Sequence, residues 1–374
     1  MSNNEKRISR RSFLKGAGAA AIGVAAIGMF GTRAFAGGEA STEPPPAVGG
    51  FPVTHPDPVT VDIPAGAIYL AFAGDQHSET PGFHGWLDDL KAVYGENLRH
   101  IGFAGDICDK AWDQAVFDEF RAGLEDRMPG AFSVTTGNKE YAAGSPSGEW
   151  DELGEGFLRI GEAVATDDYI IYHLGAAQEE QSVPQEDIDA LAAYLDDAPA
   201  NIPIFILSHF PLHLAMATAA HSIPGSDHRQ TLNNDALIRV LNDHPNVIFL
   251  WGHNHTFQDA RYGTIRPAGS AFTWNYDDPT DKIEIGFTYA NYGSFCRGDT
   301  YGLFVQVLRD EDTVRLSMCY IDTNVPMETK ERAELVFDAD GNVSADVTPG
   351  SGINMDEMLE MSGYPDDPDF LEQY

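Results

Sequence analysis

Short apolar runs separated by polar stretches recur along this chain from about residue 63 onward. Continuous apolar runs of this length are typical of strands that are buried on both faces of a layered α/β protein. Five of the runs lead within a few residues into aspartate, asparagine or histidine; they begin at Ile68, Ile101, Ala131, Ile204 and Val247. Because open α/β sheets bind ligands at the carboxyl ends of their strands, we expect these polar side chains to meet at one edge.

Amphipathic segments between the runs predict helices. The first begins at Thr80-Pro81, a capping residue followed by proline. Its predicted apolar face comprises Phe83, Trp86, Leu87, Leu90 and Tyr94. The second carries Trp112, Val116, Phe120 and Leu124, the third follows Pro184, and the fourth covers about residues 235–243. Beyond residue 255, strands are predicted at 282–289, 302–308 and 314–321, and the whole pattern predicts a layered α/β domain with βαβ units.

Residues 1–36 are predicted to be a twin-arginine export signal. Arg10 and Arg11 precede Phe-Leu-Lys, an apolar run rich in alanine and glycine follows, and Ala34-Phe35-Ala36 supplies small residues for cleavage. An ordinary secretory signal and an N-terminal membrane anchor are the alternatives, although the run is short and weakly apolar for a spanning helix. We therefore expect an extracellular, periplasmic or cell-surface protein without a stable membrane span after signal cleavage.

Three segments are predicted after the signal. Residues 37–60 are rich in proline and glycine, which indicates an extended tether. Residues 61–330 are predicted to form the folded domain that contains all five strand ends. Residues 331–374 are predicted to be an acidic C-terminal extension that is partly disordered.

The composition excludes some classes of partner. The formal charge of the 374 residues is −35, so a surface that binds nucleic acid is not expected. A hydrophobic content of 43% is that of a globular protein rather than a disordered one. Three cysteines are too few for a disulfide framework, and Cys108 is expected to be a packing residue rather than a ligand.

The spacing of the polar residues predicts a metal site. Asp75 and His77 are two residues apart, as are His253 and His255, so each pair can point to one side of an extended segment. Asp106, which lies between them in chain order, has two carboxylate oxygens and can bridge two ions. Carboxylate, imidazole and amide donors suit divalent manganese, iron or zinc, and the thiolates of a structural zinc site are missing. Two such ions could activate water against a phosphoester, whose charge needs cationic stabilisation.

The motifs resemble those of the calcineurin-like metallophosphoesterase family. The family pattern is Asp-x-His, Gly-Asp-x-x-Asp, Gly-Asn-His-Asp/Glu, His and Gly-His-x-His, in that order. This chain has Asp75-Gln-His77, Gly105-Asp106-Ile-Cys-Asp109, Gly137-Asn138-Lys139-Glu140, His209 and Gly252-His253-Asn-His255. The resemblance covers roughly residues 65–300, and five blocks in the family order are a specific signal.

The resemblance implies a fold, a set of ligands and a mechanism. The implied fold is α/β, with two packed mixed β-sheets flanked by helices in four α/β/β/α layers. One metal ion would be held by Asp75, His77, Asp106 and His255, and the other by Asp106, Asn138, His209 and His253. The nucleophile in the family is a hydroxide that bridges the two ions, and the resemblance implies that Asp106, the ligand common to both ions, would have a catalytic as well as a binding role.

Lys139 departs from the family pattern, which has histidine at this position. In the family that histidine contacts the scissile phosphate and assists the leaving group. A lysine can still offer a cation to the phosphate, but an outward-facing Lys139 would weaken or abolish catalysis. His213, four residues beyond His209, is the next candidate for the acid. Asp109 is expected to contact a ligand rather than a metal ion.

Two functions remain open at the level of sequence. The first is an exported phosphohydrolase with two metal ions, acting on a small-molecule or lipid phosphoester. The second is a metal-binding extracytoplasmic protein with weak or lost catalysis. The presence of Lys139 in place of the family histidine favours this second function. Phosphomonoesters and phosphodiesters are both candidate substrates of the first.

Overall fold

The computed structural model describes residues 63–78, 80–109, 112–141, 157, 159–175, 183–212, 234–253, 265–275, 278–296, 301–310, 313–322 and 332–348. The chain divides into two units, Met1–Thr54 and His55–Tyr374, and the fold below belongs to the second. The predicted export signal (residues 1–36) and the predicted tether (residues 37–60) lie outside the described residues. Within the described ranges, no helix has both the length and the apolar character needed to cross a bilayer.

The first sheet has eight strands and combines parallel with antiparallel pairs. Its order is β16-β15-β14-β13-β1-β2-β3, and β12 pairs with β13. Strands β1, β2 and β3 are parallel, whereas β1 pairs with β13 in antiparallel fashion. The bounds are β1 Ile68–Ala73, β2 Leu98–Phe103, β3 Phe132–Val134, β12 Gly293–Ser294, β13 Tyr301–Arg309, β14 Val314–Asp322, β15 Arg332–Phe337 and β16 Val343–Thr348.

The second sheet has six strands in the order β4-β5-β6-β7-β11-β8. Strands β5, β6, β7 and β11 are parallel, and the two outer strands β4 and β8 are antiparallel to their neighbours. The bounds are β4 Ala163–Ala165, β5 Ile170–Leu174, β6 Ile204–Ser208, β7 Val247–Trp251, β8 Ile265–Arg266 and β11 Thr288–Asn291. Strands β9 (Ala271–Asn275) and β10 (Asp278–Glu284) form a separate antiparallel pair.

Within the described residues, four α-helices cover the outer faces of the two sheets: α1 Thr80–Tyr94, α2 Gln114–Arg127, α3 Gln185–Asp197 and α4 Asn234–Asn242. One hydrophobic cluster joins α1 and α2 to the first sheet, a second joins α3 and α4 to the second sheet, and a third lies between the sheets. The predicted order of layers, α/β/β/α, is thus confirmed.

The central strands are buried on both faces, which explains why their sequences are continuously apolar. In β1, Leu70 and Phe72 belong to the core between the sheets, whereas Tyr69 and Ala71 pack towards α1. The predicted apolar face of α1 is buried residue for residue. In α2, however, the predicted Trp112 precedes the helix, and the Asp113 side chain caps the first turn by accepting from two backbone N–H groups.

Two predictions about the C-terminal part are corrected. The strand predicted at 282–289 is two strands, because the chain turns at Gly286, whose N–H donates to Asn242 Oδ1 (2.7 Å) at the end of α4. A Cβ at Gly286 would lie 2.5 Å from the Asn242 carbonyl oxygen, so glycine is required for this close approach. The boundary expected at residue 331 falls inside the first sheet, since β15 and β16 extend it by regular antiparallel pairing. Residues 349–374 lie outside the described ranges.

Candidate metal centre

Backbone hydrogen bonds join the loops that follow β1 and β2. The N–H of Asp75 donates to the carbonyl of Gly105 (3.0 Å), and the N–H of His77 donates to the carbonyl of Asp106 (2.9 Å). Gly105 has a φ of 79°, and a Cβ there would lie 1.9 Å from the backbone nitrogen of Gly137. Only glycine therefore allows the loop after β3 to approach so closely, and three neighbouring strand ends form one connected surface.

Four candidate donors have a left-handed backbone conformation. The φ values of Asp75, His77, Asp106 and His253 are 52°, 47°, 57° and 72°. Among the described residues, the one other non-glycine residue with positive φ is Ser78, which is adjacent to His77. Such a conformation costs on the order of 1 kcal/mol or more per residue and persists where the surrounding structure imposes it, often at a functional site.

Six of the seven predicted metal ligands lie in the described residues: Asp75, His77, Asp106, Asn138, His209 and His253. Five of them form two groups of three, in which the donor atoms lie within 4.8 Å of one another. One group is Asp75, His77 and Asp106, and the other is Asp106, His209 and His253. Asp106 Oδ2 lies 3.4 Å from His77 Nε2 and 3.5 Å from His209 Nε2. The carboxylate predicted to bridge is thus common to both groups.

The donor atoms face one another in a way that favours a cation. Asn138 Oδ1 lies 3.1 Å from His209 Nε2, and the same position is 3.1 Å from Asp106 Oδ2 and 3.0 Å from His253 Nδ1. His209 Nδ1 lies 2.8 Å from the Ala104 carbonyl, which can only accept, so this nitrogen carries a proton. Oxygen and nitrogen atoms of these side chains therefore converge on one another, and carboxylate, amide and imidazole groups in this arrangement fit a divalent metal ion.

The charges of this cluster perturb one another strongly. Burial raises the pKa of Asp106, but the adjacent His209 and His77 outweigh burial and bring this pKa to about 2. Burial lowers the pKa of His209, whereas Asp106 and Asp75 raise it to about 9. In the metal-free chain, the carboxylates thus hold a proton on His209, and binding of a metal ion would displace that proton.

Glu140 has a role that the sequence analysis did not identify. Its buried carboxylate accepts the N–H groups of Asp106 (2.8 Å), Ile107 (2.9 Å) and Gly137 (2.6 Å). It therefore ties the loop that carries Asp106 to the loop that carries Asn138. Burial and the charge of Asp106 raise the pKa of Glu140, and the three N–H groups oppose that shift. Its signal in the sequence was only its position after Gly-Asn in the third motif.

The other predicted residues are placed as follows. The backbone N–H of Lys139 donates to Asp106 Oδ1 (2.8 Å), and the residue is half-buried. Asp109 Oδ1 lies 3.4 Å from His77 Nδ1, on the side of the ring away from Asp106. Cys108 is buried, and its Sγ contacts the backbone of the residue that caps α2, as expected of a packing residue. His213 and His255 lie outside the described residues.

Similar solved structures were found across the fold. A structure titled GAP50, the anchor in the inner membrane complex of Plasmodium, has 9% identity and a TM-score of 0.44, with 80% of this chain and 95% of that chain covered. Phosphopantetheinyl hydrolase from Mycobacterium tuberculosis has 14% identity and a TM-score of 0.36, covering 62% and 91%. A 5'-nucleotidase precursor from Thermus thermophilus has 11% identity and a TM-score of 0.36, covering 82% of this chain and 60% of that one.

Comparisons of sequence add nothing to this set. No protein-family model matches the chain, and no curated protein matches it. Since the TM-scores are below 0.5, the function of the site has to be inferred from its own side chains.

Proposed function

We propose that the chain is an exported, metal-dependent phosphoesterase that hydrolyses a phosphomonoester or phosphodiester at this edge of the two sheets. The observation that carries the proposal is the sharing of Asp106 by two groups of buried donors. Two divalent ions of manganese, iron or zinc would stabilise the charge of a phosphoester and activate water at neutral pH.

The chain would divide its ligands between the two ions. Asp75, His77 and Asp106 would hold one ion, and His255 is proposed as a further ligand on that side. Asp106, Asn138, His209 and His253 would hold the other. Since His209 donates from Nδ1 to the Ala104 carbonyl, Nε2 is the nitrogen that faces the ion.

Lys139 is proposed as the group that contacts the phosphate. Its backbone is fixed on Asp106, so its side chain starts next to the shared carboxylate. An ammonium group can bind a phosphate oxygen as a point charge, and it can also donate a proton to the departing oxygen. This role would replace that of the family histidine.

The decisive experiment is a hydrolysis panel on the chain without residues 1–36. Nitrophenyl and alkyl monoesters and diesters would be tested after loading with manganese, iron, zinc or calcium, and bound metal would be counted by elemental analysis. We expect two bound ions and turnover with the first three metals. Calcium should support little turnover, because it prefers six to eight oxygen ligands to imidazole.

The panel also tests the alternative, which Lys139 favours. Two tightly bound ions without hydrolysis of any ester would identify a metal-binding protein that has lost catalysis. Failure to bind any ion would contradict both functions.

Export is the part of the proposal that depends on residues 1–36. Twin-arginine export carries folded cargo, so the chain would leave the cytoplasm with its metal ions already bound. Changing Arg10 and Arg11 together to lysine should retain the protein in the cytoplasm, as measured by cell fractionation. Normal export of that variant would contradict this route and favour an ordinary secretory signal.

A further inference from the structure

A buried tyrosine lies directly beneath the loops that carry the donors. Tyr292 has no exposed surface and follows β11, in the segment that leads from the second sheet to the first. Its N–H donates to the carbonyl of Trp251 in β7 (2.9 Å), and its carbonyl accepts from the N–H of Leu303 in β13 (3.1 Å). Hydrogen bonds to both sheets thus fix its backbone.

The hydroxyl of Tyr292 points at the donors rather than into the apolar core. It donates to the Ala104 carbonyl (3.3 Å) and lies 3.3 Å from His209 Nδ1. His209 Nδ1 therefore faces two oxygen atoms that can accept its proton, and its Nε2 is turned towards Asp106.

The ring of Tyr292 explains two glycines of the motifs. A Cβ at Gly74 would lie 2.4 Å from the ring, and a Cβ at Gly252 would lie 2.3 Å from it. Neither glycine has a positive φ, so the backbone conformation does not require glycine at either position. The ring requires it, and the residues that follow these glycines are the donors Asp75 and His253.

Packing alone does not account for a tyrosine at this position. Phenylalanine would fill the same space without burying a hydroxyl, which costs free energy unless it is hydrogen-bonded. We propose that Tyr292 is a positioning residue: its ring sets the spacing of the loops after β1 and β7, and its hydroxyl holds His209 with Nε2 towards the metal site. This inference rests on the proposed metal site but not on the hydrolysis of a phosphoester.

The hydroxyl is tested by Tyr292→Phe, with Tyr69→Phe as the matched control. Tyr69 is also buried, and its hydroxyl accepts from Gln306 Nε2 (2.7 Å) outside the donor cluster. Zinc affinity would be measured by competition with a chromophoric chelator, and the His209 side chain by NMR of the zinc-loaded, ¹⁵N-histidine-labelled protein. We expect Tyr292→Phe to weaken zinc binding about 10- to 100-fold and to shift the Nδ1–H signal of His209. Tyr69→Phe should change neither.

The outcomes separate this inference from the proposed function. If the parent binds zinc and Tyr292→Phe binds it equally tightly with an unchanged His209 signal, the positioning role is wrong and the metal site stands. If Tyr69→Phe weakens binding as much as Tyr292→Phe, the effect is a general loss of stability, and the role is again wrong. If the parent binds no divalent ion, both proposals fail.

The ring is tested without any metal ion, by Gly252→Ala in two backgrounds. In the parent, the added Cβ should meet the ring and lower the urea midpoint of unfolding. In a Tyr292→Leu background, the ring is absent and the same change should shift the midpoint much less. Gly85→Ala is the control, because a Cβ at Gly85 in α1 meets no atom within 4 Å. An equal shift from Gly252→Ala in both backgrounds would overturn the role of the ring.

Discussion

Two clusters of buried histidines in these sheets have opposite character. The donor cluster lies at the carboxyl ends of β1, β2, β6 and β7 and contains His77, His209 and His253. The second, which we call the inter-sheet cluster, consists of His100 in β2, Ser133 in β3 and His173 in β5. His100 and His173 are paired in register with leucines of the core between the sheets.

Each histidine of the inter-sheet cluster has a hydrogen bond to an uncharged partner. His100 Nε2 lies 2.8 Å from Ser133 Oγ, and His173 Nδ1 donates to the Glu162 carbonyl (3.0 Å). No carboxylate contributes to the pKa of His100; burial lowers it to about 3, and His173 and Arg159 act in the same direction. Burial likewise lowers the pKa of His173 to about 4, with Arg159 adding to that effect.

The donor cluster differs in the charges that surround its histidines. Asp106 and Asp75 raise the pKa of His209 to about 9 against the opposing effect of burial. The histidines of both clusters are buried, so the nearby carboxylates decide whether a ring attracts a cation or excludes a proton. This difference between the clusters indicates that a buried histidine is evidence for a metal site only where acidic side chains converge on it.

The largest effect is expected from Asp106→Asn, which removes the charge shared by both groups of donors. The variant keeps the shape of the side chain, but two cations would no longer be held close together. We expect activity to fall by at least about a thousandfold and the bound metal to fall from two ions towards one. Rates on a nitrophenyl ester and elemental analysis are the measurements.

Ser133→Ala is the matched variant in the inter-sheet cluster. It removes the hydrogen-bond partner of His100 and leaves all proposed ligands in place. It should lower stability while metal content stays at two ions. The comparison between the clusters would be wrong if Asp106→Asn kept two tightly bound ions or if Ser133→Ala lost them.

Lys139→Ala should have the next largest effect, because Lys139 is the residue proposed to contact the phosphate. Loss of one positioned acid or cation costs about a hundred- to ten-thousandfold in rate. The loss should be greatest for alkyl phosphates and smallest for a nitrophenyl ester, whose departing oxygen hardly needs a proton. Metal content should not change.

Lys139→His is the matched variant, since it introduces the histidine found in the motif pattern that this chain resembles. It should retain activity and move the basic limb of the pH–rate profile downward, because imidazole titrates near 6.5. Equal rates of Lys139→Ala and the parent on both types of ester would exclude Lys139, and His213 would then be the next residue to test.

Much of the fold could be predicted from the sequence because the central strands are buried and their sequences are therefore continuously apolar. Strands β1 and β7 begin at the predicted residues, Ile68 and Val247, since both faces are covered and the whole run must be apolar. The turn at Gly286 was missed, because its cause is a contact with Asn242, distant in sequence. Strands β15 and β16 were missed because acidic residues on their exposed positions concealed an alternating apolar pattern.

In the candidate site, too, some features follow from the local sequence, and others depend on contacts between residues that are distant in sequence. The donors were predictable because each follows an apolar strand, and parallel strands end at the same edge. The contributions of Glu140 and Tyr292 were not predictable, because they depend on which backbone atoms the folded loops bring within reach. Glu140 accepts from three N–H groups that belong to two loops. The hydroxyl of Tyr292 contacts the carbonyl of Ala104, which is 188 residues away in sequence.

The smallest effect is expected from the inter-sheet cluster, and it concerns stability alone. His100 and His173 have folded pKa values near 3 and 4, below the value of about 6.5 in an unfolded chain. Below pH 6.5 the unfolded chain therefore binds protons that the folded chain does not, so stability falls as the pH falls. Each histidine should contribute a slope that approaches about 1.4 kcal/mol per pH unit until the folded pKa is reached.

Comparison of the parent with His100→Gln/His173→Gln isolates this slope. Urea unfolding of both proteins in chelator would be followed between pH 7.5 and 5, and titrations at the donor cluster cancel in the difference. The variant should be less stable than the parent at pH 7.5, where the buried rings are neutral in both states, and the gap should narrow as the pH falls. A gap that stays constant would show that the two histidines take up protons in the folded chain. The inter-sheet cluster would then resemble the donor cluster, and burial without carboxylates would not suffice to exclude a proton.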